Sequence, residues 1–163
     1  MMKYFILILI VILVFIFSGC GVYTFNPRGK SDISNIAIEP FENKTNEFGL
    51  ADRVTEIVID AFITDGTMKI VPTENADVYL EGVLTRYQRV PFKFDENDQV
   101  EEYKILMDFE IALKNPKDDS DKWRERMSQE GIYNANEETE EDGQKRAGTR
   151  LVEAIINKTT KSW

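Results

Sequence analysis

Catalysis needs reactive side chains, and this chain is short of them. Its 163 residues contain no histidine and a single cysteine, Cys20. That excludes Ser-His and Cys-His nucleophilic chemistry and any histidine-ligated zinc. The 9 glycines never fall into GxGxxG or GxxxxGK(S/T) spacing, so no phosphate-cradling loop is readable. The 29 carboxylates could supply an acid–base pair, but their spacing singles out none. No catalytic residue, metal or cofactor is expected. Groups suited to binding are present instead. Arg86 and Arg89 flank Tyr87, and Phe92, Lys93 and Phe94 follow. Guanidinium groups there could make bidentate contacts to the phosphates of sugar head groups. The same charges on a strand would also discourage edge-to-edge aggregation. Both readings stand at this level.

The one thiol has a particular setting. Met1-Met2-Lys3 supplies a short positive start, Tyr4 through Phe17 is an unbroken apolar run, and Ser18-Gly19 precede Cys20. A helix over that run spans roughly 21 Å, short of a ~30 Å hydrocarbon core, so residues 1–19 read as a signal peptide. Phe17-Ser18-Gly19-Cys20 resembles the bacterial lipoprotein processing site, with Phe where Leu is usual. That resemblance implies a diacylglycerol thioether on Cys20, cleavage just before it, and acylation of the freed amine. The alternative is an unmodified cysteine in an ordinary signal or anchor segment. Two or more acyl chains give a stable anchor, at about 0.8 kcal/mol per buried methylene. Gly21, which is not acidic, points to the outer membrane.

The remainder, Cys20 to Trp163, is long enough for one domain. Without Lys3 it carries 19 basic residues against 29 acids, a net charge of 19 − 29 = −10. That argues against nucleic acid as a partner and against broad landing on anionic lipid, while leaving room for a local basic patch. With the cysteine committed to the anchor, no internal disulfide can form.

Residues 20–34 read as a lipidated tether and 35–163 as the folded part. Ile36 to Glu39 is a short strand closed by Pro40, and Glu42 to Asn46 a polar loop. Leu50, Val54, Ile57, Val58, Ala61 and Phe62 form one helical stripe, with Asn46 as N-cap and Asp65-Gly66 as stop. Met68 to Val71 is a second short strand. Val78, Leu80 and Leu84 alternate along a third, where Gly82 suggests a helix backbone coming close. Tyr103, Ile105, Met107, Phe109, Ile111 and Leu113 share one face of a fourth. Asp95 to Asp98 is the turn between these last two, so they form a long antiparallel hairpin. Trp123 to Tyr133 suits a helix or a twisted strand, and the strand is preferred. Glu137 to Asp142 opens a final helix, where acids complement the dipole, and Ala147, Leu151, Ala154 and Ile155 are its apolar stripe. The expected class is α+β: a mixed, mostly antiparallel sheet of four to five strands with two helices packed on one face.

The hairpin has a consequence. Residues 78–90 and 100–112 would each span roughly 40 Å, against a radius of gyration of about 14–15 Å, so the arms should outrun the sheet or bend. Pro91 cannot donate a ladder bond and marks a bulge or an edge. Beyond it, aromatics interleaved with cations have the composition of an interface. Either this tip folds back on its own sheet, or Val90 to Asp98 meets a partner.

Several of these elements together resemble the LptE family of lipopolysaccharide-assembly lipoproteins. The matching residues are Cys20-Gly21 with Tyr23 and Phe25, and Ile36-Ala37-Ile38-Glu39-Pro40-Phe41 with Asn43 and Thr45. They continue with the helix ending Asp65-Gly66, Ala76 to Gly82, Tyr87 before Pro91, Asp95, Tyr103, Trp123 and the closing helix. Val22 departs from the family's more usual Cys-Gly-Tyr. The resemblance implies a lipid-anchored domain on the periplasmic side of the outer membrane. It would sit as plug and assembly partner within the LptD β-barrel while lipopolysaccharide passes to the cell surface, with Arg86 and Arg89 able to meet its phosphates. The opening strand also resembles periplasmic lipoproteins that regulate peptidoglycan synthases or build secretion pores. The single long hairpin favours the first family.

Overall fold

A computed structural model of the chain describes residues 33–161, so Cys20, the expected signal peptide and the tether up to residue 32 lie outside the described residues. The elements run β1 (Asn35–Ile38), β2 (Glu42–Asn43), α1 (Leu50–Asp65), β3 (Lys69–Ile70), β4 (Val78–Phe94), β5 (Val100–Lys114), β6 (Asp121–Asn134) and α2 (Glu140–Lys161). The fold is α+β, with two helices on a mixed sheet in the order β3-β1-β4-β5-β6. The sheet has 6 strands, more than expected, because β2 forms inside the stretch read as a polar loop and pairs with Val83 and Leu84. Short strands β1, β2 and β3 pair in parallel, while the long ladders β4–β5 and β5–β6 are antiparallel. The segment around Trp123 is a strand, paired with β5 along its whole length. Ile33 and Ser34, read with the tether, belong to the fold. Ile33 is buried, and the Ser34 carbonyl accepts the Lys69 N–H.

Periodicity explains the core. Leu80 and Leu84 of β4 and the run Ile105, Met107, Phe109, Ile111 and Leu113 of β5 are buried on one face. Over it lie Leu50, Val54, Val58 and Phe62 of α1 and Ala147, Leu151 and Ile155 of α2. The stop of α1 is as expected: Gly66 takes φ +67° and donates to the Phe62 carbonyl. Its start is not. Asn46 does not cap it; Gly49, at φ +75°, immediately precedes Leu50. Asn43 organises the loop instead, its Oδ1 accepting from the Thr45 N–H and hydroxyl and its amide donating to the Glu47 carbonyl. Thr139 and Asp142 cap α2 reciprocally, with the Asp142 carboxylate accepting the Thr139 N–H at 2.8 Å.

Gly82 is indeed a point of close approach, but not to a helix. A Cβ there would lie 2.0 Å from the ring of Phe41, which sits edge-on to Phe109. The helix backbone comes close elsewhere: a Cβ on Gly131 of β6 would lie 1.9 Å from the Gly143 carbonyl oxygen of α2.

Candidate functional site

The hairpin positions every residue singled out for binding, and a bulge decides how they face. Between Leu84 and Arg86 the register against β5 slips by one residue, at Thr85. Beyond the slip, Tyr87 and Arg89 point to the helices, while Arg86 and Gln88 point to the opposite face. Arg86 bonds Gln88 and pairs with Asp108 at 3.6 Å. Arg89 reaches Glu140 in the first turn of α2 at 3.1 Å and lies 4.5 Å over the Tyr103 ring, which stacks on Tyr133. The two arginines therefore do not form one patch. Three residues apart on a strand place side chains on opposite faces, and that spacing was the signal available in the sequence.

Lys93 bonds Glu101 at 2.9 Å, which holds its ammonium above the usual lysine range. All three cations are thus paired, but at exposed positions where such pairs contribute little and exchange readily with another anion.

Tyr87 ties this region to both helices. Its hydroxyl donates to Glu140 and accepts from the Gln144 amide at 2.8 Å, and Gln144 in turn accepts from Arg53 of α1 at 3.4 Å. Burial first, and then the bond to Glu140, push the phenol pKa up, so it stays protonated at any physiological pH. Sequence patterning missed Glu140 and Gln144. The acidic cluster before α2 was read only against the helix dipole.

Beyond Arg89 the helices no longer cover the hairpin. Residues 91 to 99 are all exposed, with Phe92 at 47% and Phe94 at 54%. The ring of Phe92 carries the Lys104 ammonium at 4.2 Å. On the side of β4 away from β5, no strand among the described residues pairs past Leu84, so Pro91 lies on an edge that is open among them, and the register slips again between Pro91 and Lys93. The turn is ordered by Asp95, whose carboxylate accepts the Asn97 and Gln99 N–H groups and is held below the usual carboxylate range, Gln99 contributing most. Asp98 completes it at φ +60°. The tip is thus a braced structure presenting two phenylalanines, and it does not fold back on its sheet.

Among the described residues, no group of acids could hold a metal ion and no helix is long and apolar enough to cross a membrane.

No curated protein sequence matches the chain. Among solved structures, a hypothetical protein from Chlamydia trachomatis is similar over 80% of this chain and 99% of its own, at 9% identity and a TM-score of 0.55. A protein from Xanthomonas campestris covers 79% of this chain and 85% of its own, at 12% identity and TM-score 0.51. A putative lipoprotein from Caulobacter crescentus covers 76% and 89%, at 15% identity and TM-score 0.50. At such identities these likenesses speak for the fold alone. The model of the family described as LptE, lipopolysaccharide-assembly, matches residues 33–159, nearly the whole described fold from Ile33 to Thr159. The chain belongs to the LptE family of lipopolysaccharide-assembly lipoproteins.

Proposed function

We propose that this protein is the lipid-anchored subunit seated within an LptD-like β-barrel of the outer membrane. There it plugs the lumen, assists assembly of the barrel and supports insertion of lipopolysaccharide at the cell surface. Cys20 holds it to the periplasmic leaflet as a lipidated residue, following a signal peptide at 1–19. The observation that carries this reading, beside the family, is the hairpin that outruns its helices and ends in exposed Phe92 and Phe94. Over its 17 residues β4 runs about 53 Å at ~3.3 Å per residue. That exceeds the ~40–45 Å of a bilayer with its head groups. Standing base-down in a lumen, the hairpin would therefore reach along the whole height of the barrel wall.

The outer face of the sheet suits a polar lumen, because its charges are paired across strands: Arg126 with Glu110 at 2.9 Å, Lys104 with Glu130 at 3.0 Å. Phe92, Lys93 and Phe94 are the proposed contacts with the barrel. Arg86 and Arg89 would exchange their present partners for lipopolysaccharide phosphates.

Affinity purification of the tagged full-length lipoprotein from outer membranes in mild detergent tests the proposal. A large barrel protein should copurify, and replacing Phe92 and Phe94 together by Ser should reduce it sharply. A peptidoglycan synthase in place of the barrel, or recovery indifferent to both substitutions, would overturn it.

A further inference from the structure

Phe48 is fully exposed, at 101%, more than any other large apolar side chain among the described residues. Leaving a benzyl side chain in water forgoes the free energy of burying it. A lone exposed phenylalanine on a slack loop would mean little, but this loop is braced. Asn43 ties Thr45 and Glu47 together, the Thr45 hydroxyl accepts the Glu47 N–H at 3.3 Å, and the Gly49 carbonyl accepts the Arg53 N–H at 3.3 Å. The backbone that carries Phe48 is thus fixed before anything binds, which lowers the ordering cost of an aromatic anchor.

Its position gives the kind of partner. Asn43 pairs beside Leu84, and the Lys44 N–H donates to the Leu84 carbonyl, so the loop stands where, among the described residues, the cover of β4 ends and its open edge begins. From the level of Leu84 to Phe92 is about 26 Å along the strand at ~3.3 Å per residue. No small ligand touches both ends of that span. A continuous wall lying along the open edge does.

We propose that Phe48 is a second aromatic anchor, inserting into an apolar recess on the inner wall of the same β-barrel that receives the hairpin tip. The identity of that partner rests on the function proposed above.

The test is photo-crosslinking in intact cells, with p-benzoylphenylalanine replacing in turn Phe48, Phe92 and Asn75 of the full-length lipoprotein. Asn75, exposed near the base of β4, is the control. Positions 48 and 92 should each crosslink to the barrel and position 75 should not. Phe48→Ser should lower barrel recovery about tenfold, the effect of a modest hot spot, while leaving the melting curve in place. A crosslink from position 48 to lipid, to a second copy of this chain or to nothing overturns the inference. If position 92 still reaches the barrel in that case, the proposed function survives. Failure at both positions removes both.

Discussion

The contact between Gly82 and Phe41 allows a quantitative test of how the sheet is built. A methyl group on Gly82 would lie 2.0 Å from Cε1, 2.3 Å from Cζ and 2.4 Å from Cδ1 of Phe41. The ring must give way by more than an ångström. It has little freedom, being 3% exposed and packed edge-on against Phe109 at 6.2 Å. Overpacking of this kind costs about 1–3 kcal/mol. Expelling the ring altogether would forfeit its burial, about 150–200 Å² at ~25 cal/mol per Å², or roughly 4–5 kcal/mol. Gly82→Ala should therefore destabilise by about 2–4 kcal/mol. Phe41→Leu removes Cε1 and Cζ, two of the three atoms that obstruct the methyl, and leaves Cδ1 on a branch free to rotate away, at a cost of about 1–2 kcal/mol as a cavity. In the double variant the methyl enters that space, so the two losses should fall short of additivity by about 1–3 kcal/mol. Urea melts of the four proteins, extrapolated to water, give the cycle directly. Additivity within about 0.5 kcal/mol would refute the argument, because it would mean that the two residues do not compete for one volume.

Further outcomes are expected. Gly131→Ala sets a methyl against the α2 backbone, which no side-chain rotation relieves, so it should destabilise at least as much as Gly82→Ala and no substitution of Phe41 should rescue it. Asp119 accepts from Tyr79 first and from Lys114 second, and both hold its carboxyl below the ordinary value of 3.8. Its folded pKa being depressed, its contribution is complete above the ordinary value and is lost as pH falls from there through the lower folded value. Asp119→Asn should therefore flatten the acid limb of stability below about pH 4, and an unchanged limb in an acid titration would contradict the assignment. Labelled fatty acid should enter the wild type and not Cys20→Ala; equal labelling would remove the anchor. With Cys20 lipidated as proposed, and no metal ligand set among the described residues, melting of the lipoprotein should be indifferent to chelator and reductant.

Much of the fold was legible in the sequence because it rests on local repetition. Apolar residues every second position along 103–113 read as a strand, and the stripe from Leu50 to Phe62 as a helix, whatever lies opposite them. Turn chemistry is equally local: Asp95 folds the chain through N–H groups two and four residues ahead. Partnerships across the sheet were different. Nothing near Phe41 announces that its ring fills the space above a glycine 41 residues on, and nothing near Gly131 names the α2 carbonyl that excludes a side chain there. Such choices depend on which surfaces meet, and a one-dimensional pattern does not contain that. The candidate site divides the same way. Its residue types were readable along 86–94, as interleaved cations and aromatics. Only the folded chain decided that Arg89 and Tyr87 turn inward to Glu140 and Gln144, and that the cover of β4 ends at Leu84. Phe92 and Phe94 are left in water because the helices do not extend beyond the level of Arg89, and that limit is set by how two distant segments pack.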